Sequence, residues 1–173
     1  MRRLTAAAAL GAILAMCAAA LTASPAFAGR GHQWHLVPVR PFTFDTRYCG
    51  FRVHATFPVH QESTKILKAT DGSMTTLTTG ALTATFTNVS TGKAITENLS
   101  GPGKITVAPD GSAIVAEKGH NGVFLLPADA HRFGLPTLTV TTGPVTEAVA
   151  PDGVITTLTR RGHVLVNICT ALA

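Results

Sequence analysis

The chain has 173 residues, fourteen Lys and Arg against nine Asp and Glu, and only 13% charged residues. The positive surplus is local. Arg30, Arg40, Arg47 and Arg52 meet only Asp45 in the stretch 29–52, whereas eight bases balance eight acids from Val53 onward. A neutral body behind a short basic arm excludes nucleic acid as the natural partner.

Arg2 and Arg3, the Ala/Leu-rich run Leu4 to Leu21, and Ala26-Phe27-Ala28 have the order of a secretory signal peptide. Cleavage is expected between Ala28 and Gly29, with export by the general pathway to the extracellular space. The apolar run approaches the roughly 18 residues of a membrane anchor. It is mostly alanine and a cleavage site follows at once, so no span is expected after cleavage. Only Cys49 and Cys169 then remain, and two cysteines in an oxidising compartment are expected to pair. A bridge closing a loop of that length is worth about 4 to 5 kcal/mol in the chain-entropy treatment.

Residues 29–47 form an arm with Pro38, Pro41 and the single tryptophan, Trp34. Prolines at these spacings favour extended chain and resist helix. The arm is expected to be loosely ordered, laying Trp34 or Phe42 against the body; the alternative is contact with an anionic envelope polymer or lipid surface. His32 and His35 add charge there only in acidic surroundings.

The β domain is expected over 48–173. Phe51, Val53, Ala55 and Phe57 alternate with Arg52, His54 and Thr56, the pattern of a half-buried strand. Pro58 lacks a ladder donor and is expected to end that strand or place it at an edge. Strands are expected at Ser63 to Ala69 and Met74 to Thr79 around an Asp71-Gly72 turn. Farther on, Gly101-Pro102 with Val107-Ala108-Pro109-Asp110-Gly111 recurs 42 residues later as Gly143-Pro144 with Val149-Ala150-Pro151-Asp152-Gly153. Gly119-His120 and Gly162-His163 close the two units, the second with one extra residue that a bulge would absorb. Pro-Asp-Gly is a turn with a mechanism: Pro presets φ, Asp bonds the local backbone, and Gly takes the positive φ. A weaker third unit is read from Gly80 to Ser90-Thr91-Gly92. Leu126 to Gly134 is the longest irregular piece. Strands at Thr137 to Thr142, Val145 to Val149, Val154 to Thr159 and His163 to Cys169 follow, and Thr170 to Ala173 adds a helical turn. The expected fold is all-β, an antiparallel β-sandwich or small barrel built from hairpins, with about eleven short strands and one disulfide.

HExxH, CxxC, GxSxG, a phosphate loop and an EF-hand loop are all missing from the sequence. No cofactor and no metal are expected. Asp71, Asp110 and Asp152 are accounted for by their turns. Glu97 and Glu117 sit in strands that need polar residues on a solvent face, and nothing in the linear order pairs two carboxylates. Arg52 and His54 share a strand face. Inside a barrel they would serve as electrostatic stabiliser and acid; on a sandwich that face is the wet outside.

Cys49-Gly50-Phe51, Asn88 to Lys93 (NVSTGK), Leu99 to Gly103 (LSGPG), Pro-Asp-Gly-Ser and the terminal Cys169, behind an Ala-rich signal, resemble a group of small secreted proteins from high-GC actinobacteria. The resemblance implies compartment, bridge and β fold, and supplies no catalytic residue.

The leading expectation is a monomeric, non-catalytic binding or structural module of the cell envelope or extracellular space. A cell-envelope polysaccharide or another protein is the expected partner. One alternative is an isomerase- or hydrolase-like barrel enzyme with Arg52, His54, His120 and His163 around a pocket. A secreted protease inhibitor using the Leu126 to Leu135 loop is the other.

Overall fold

The computed structural model describes residues 35–36 and 43–173. The signal segment 1–28 with its Ala28/Gly29 cleavage point, Trp34 and Phe42 lie outside the described residues.

Twelve strands and two short helices are described. The strands are β1 (His35–Leu36), β2 (Thr43–Thr46), β3 (Val53–Lys68), β4 (Met74–Asn88), β5 (Ala94–Asn98), β6 (Gly103–Val107), β7 (Ala113–Glu117), β8 (His120–Phe124), β9 (Leu138–Thr142), β10 (Val145–Val149), β11 (Ile155–Arg160) and β12 (Val164–Asn167). The helices are α1 (Pro127–Phe133) and α2 (Ile168–Leu172). A nine-stranded antiparallel sheet runs β1-β3-β4-β6-β7-β10-β11, with β2 beside β3 and β5 beside β4. Its two ends do not pair, so the sheet is open and the molecule is sandwich-like, not a closed barrel. The second sheet has the order β12-β9-β8.

The described parts of the arm belong to the large sheet. β1 pairs with Ser63 and Thr64, and β2 pairs with Val53 to Thr56. Two strands are also much longer than expected, and Pro58 does not end the first. β3 passes through it by a bulge: Thr56 faces Thr85 and Val59 faces Thr83, so Phe57 and Pro58 share the position opposite Ala84. A bulge tolerates the missing donor. It also reverses the alternation. Val53 and Ala55 point into the core before it, and His60 and Glu62 take the same side after it.

The two read repeats are the β6–β7 and β10–β11 hairpins, and the extra residue is Thr156, skipped between the Ala148–Thr157 and Val149–Ile155 pairs. At the mouth of the second hairpin a Cβ on Gly162 would run into the carbonyl oxygen of Thr142. The third unit is borne out in part: its turn at Ser90-Thr91-Gly92 joins β4 to β5, with the Gly92 N–H donating to the Asn88 carbonyl. Gly80 lies inside β4, opposite Glu62. The third equivalent turn is Ala69–Ser73, between β3 and β4. In all three turns the Gly N–H donates to the Ala carbonyl (Gly72 to Ala69, Gly111 to Ala108, Gly153 to Ala150), and the Asp side chain accepts from the N–H two residues on. The tips lie side by side: a Cβ on Gly72 would touch Pro109, and one on Gly111 would touch Pro151.

Two apolar clusters fill the interior. Val53, Ala55, Ala84, Phe86, Leu99, Leu138, Val140, Ile168 and Leu172 form one, fastened by Phe44, Phe86 and Phe124, whose rings meet edge to face at 5.7 and 6.1 Å. Val123, Leu125, Ala130, Leu135, Val145 and Ile155 form the other, where β8 and α1 cover β10 and β11. The expected irregular piece at 126–134 is thus largely helical. Pro127 opens α1 where its missing N–H costs nothing, and Gly134, at φ 64°, caps its end. Cys49 and Cys169 are bonded with Cα atoms 5.1 Å apart, tying the turn before β3 to α2. Among the described residues, no helix is long and apolar enough to cross a membrane.

Candidate functional site

The outer face of the large sheet, where β2, β3, β4 and β5 lie side by side, carries a contiguous set of polar side chains. Inward positions Val53, Ala55, Ala84 and Phe86 are completely buried, so strand alternation turns Arg52, His54, Thr56, Thr83, Thr85 and Thr87 outward. The register then lines up Thr43, Thr56, Thr85 and Thr96 in one row across four strands. At about 4.8 Å per strand that row spans roughly 14 Å. Thr85 and Thr96 share a hydrogen bond of 2.9 Å between their hydroxyls.

The next row holds Asp45, His54, Thr87 and Ala94. Asp45 is gripped from two sides: Arg52 Nη2 donates to Oδ2 at 2.8 Å, and His54 Nδ1 lies 3.0 Å from Oδ1. The Arg52 hydrogen bond, followed by that of His54, lowers the Asp45 pKa. The result is a solvent-facing platform of hydroxyls beside an arginine–carboxylate–histidine set held by its own hydrogen bonds.

His120 and His163 lie elsewhere, on the three-stranded sheet. His120 opens β8 opposite Thr142, whose N–H donates to the His163 carbonyl. The structure therefore brings Arg52 and His54 together on an outer surface, places His120 and His163 on either side of Thr142 in the other sheet, and does not join the two sets in one pocket. The 126–135 stretch proposed for an inhibitor buries Ala130 and Leu135 in the core. Arg132 is bonded to Asp129 and to the Ile155 carbonyl, and stacks over Phe133.

A second set of ionisable groups was not anticipated. Glu117 is on the inward face of β7, in register with Val145, which belongs to the core; the expectation of a solvent-facing Glu117 is corrected by this pairing. Burial first, then the charges of Glu147 and Glu62, push its pKa up to about 7. Burial also raises Glu147, and raises Glu62 even though His60 Nε2 lies 3.0 Å from its Oε2. The signal was present in the strands AIVAE and VTEAV, where each glutamate falls in phase with the apolar residues. Among the described residues, no group of three His, Cys, Asp or Glu is arranged to hold a metal ion. No family model, curated protein or solved structure matches this chain.

Proposed function

We propose that the protein is an exported, non-catalytic binding module of the cell envelope or extracellular space, and that its ligand is a cell-envelope polysaccharide held on the outer face of β2 to β5. The observation that carries this reading is the uncovered row of Thr43, Thr56, Thr85 and Thr96 beside Arg52, Asp45 and His54. A sugar polymer presents hydroxyls along an extended chain, and a flat array of hydroxyl donors and acceptors with one fixed ionic set matches it without a deep pocket. The Cys49–Cys169 bond supports an oxidising compartment, as does the resemblance to small secreted actinobacterial proteins.

The test is retention of the purified protein on insoluble cell-wall polysaccharide. Thr85→Val with Thr96→Val, and separately Arg52→Ala, are expected to reduce retention at least tenfold while leaving the circular dichroism unchanged. Equal retention of the wild type and both variants overturns the reading; retention on wall protein after polysaccharide removal selects a protein partner instead.

A further inference from the structure

The inner face of the large sheet carries negative charge that binding at the outer platform does not use. Glu117 on β7 stands opposite Gly103 and Val145, and Glu147 on β10 stands opposite Val115. The two are therefore diagonal neighbours on adjacent strands, within about 7–8 Å of one another. Glu62 stands opposite Gly80, where a Cβ would run into the Gln61 carbonyl oxygen, so the two backbones approach closely at this pair. Val145 packs under Val123, Leu125, Ala130 and Leu135, so β8 and α1 roof this end of the face.

Few charges answer these three. On β3 the inward positions add His60, paired with Glu62, and Lys68, exposed at the strand's end. Strands β4 and β6 put no ionisable group on this face. β11 supplies Arg160, exposed and donating to the Gly162 carbonyl. From the roof, β8 presents Asn121 and Val123 and β9 presents Thr139 and Thr141, all uncharged. On α1, Asp129 and Arg132 hold each other and His131 is exposed. On the edge strand β5, Glu97 stands opposite the buried Ala84 and is a fourth carboxyl on this side of the sheet. Among the described residues, Glu62, Glu117 and Glu147 are met at ion-pair distance by one histidine.

We propose that Glu62, Glu117 and Glu147 form a proton-operated clamp: while they hold protons the inner face closes under its roof, and when all three ionise their repulsion loosens it. The protein is then tightest in mildly acidic surroundings and weakens toward alkaline pH. The folded state holds a proton on Glu117 up to about pH 7, against an ordinary value of 4.5. A folded pKa raised in this way contributes stability that is complete below the ordinary value and is lost as pH rises through the folded one. The window is thus about 4.5 to 7, opposite in sign to ordinary acid denaturation. The full effect of Glu117 alone is about 300-fold in the folding constant, of which about 30-fold falls between pH 5.5 and 8.

The experiment has two arms on the full chain at fixed ionic strength. Carbon-detected NMR titration of the glutamate carboxyls is expected to show one with a midpoint near 7 that disappears in Glu117→Gln. Denaturant unfolding at pH 5.5 and 8 is expected to show the wild-type folding constant falling by at least 30-fold, and that of Glu117→Gln by less than tenfold. The clamp is overturned if every glutamate titrates below pH 5.5, or if the wild type is equally or more stable at pH 8. Should Glu117→Gln fail to fold, the wild-type titration decides, with Glu147→Gln expected to move the Glu117 midpoint down. Neither arm reads polysaccharide binding, so the clamp and the platform stand or fall separately.

Discussion

Replacing Cys49 and Cys169 together by alanine removes the one covalent tie in the body while leaving its packing nearly intact. Both half-cystines are only partly buried against the cluster around Phe86 and Leu172, so the folded state loses little contact. The larger effect falls on the unfolded chain, whose two cysteines are 120 positions apart. Opening a loop of that size restores about 16 cal/mol/K of chain entropy, or about 4.9 kcal/mol at 25 °C. Domains of this kind are held by about 5–15 kcal/mol in total, so the loss takes a large part of the margin. With an unfolding entropy of about 2.1 cal/mol/K per residue over the folded body, Tm is expected to fall by about 15–20 °C. Urea unfolding followed by far-ultraviolet circular dichroism measures the change. The m-value should also rise, because an uncrosslinked chain exposes more surface when it unfolds. A loss under about 1 kcal/mol with an unchanged m-value would refute the argument.

Phe86→Ala empties the centre of the first cluster, where the ring is completely buried and meets Phe124 at 6.1 Å; a loss of about 3–5 kcal/mol in denaturant unfolding is expected. Gly162→Ala drives a methyl into the Thr142 carbonyl, a backbone atom that cannot swing aside; at least about 2 kcal/mol should be lost, whereas the exposed Gly92, with nothing near its Cβ position, should lose less on the same scale. Pro58→Ala should be close to neutral, because a bulge position needs no ladder donor. Deleting Pro58 should instead cost at least about 3 kcal/mol, since one half of β3 must then turn its inward side chains to solvent; equal stability of the two Pro58 variants would show that the bulge does not set the register.

Much of the architecture was legible because strand alternation and turn chemistry are local. Val53 and Ala55 against Arg52 and His54 already separate an inside from an outside, and Pro-Asp-Gly already names a turn. The bulge at Thr156 followed from counting one extra residue between matching motifs. The turn at Asp71-Gly72 was expected, but its kinship with the two Pro-Asp-Gly turns was hidden because Thr70 stands where they have proline, although Ala69, Asp71 and Gly72 keep the same bonds. The helix at 127–133 is too short to show a period, and only Pro127 and Gly134 mark its ends. The carboxyl row could not be read as a group, since which strands become neighbours is decided by long-range pairing and not by any local pattern. Glu117 and Glu147 meet only because β7 joins β10, with β8, α1 and β9 between them in the chain.

The platform and the clamp are the two sides of one sheet, and a single irregularity assigns residues between them. Before the bulge, even-numbered residues of β3 face outward, which places His54 and Thr56 on the platform. After it, even-numbered residues face inward, which places His60 and Glu62 among the carboxyls. Without Phe57 and Pro58 sharing one position, Glu62 would be solvated on the outside and would carry no penalty for ionising. The bulge, one extra residue in a sixteen-residue strand, thus brings His60 and Glu62 to the side where Glu117 and Glu147 already stand by the phase of β7 and β10, and leaves His54 and Thr56 on the outer side in register with Asp45 and Thr85.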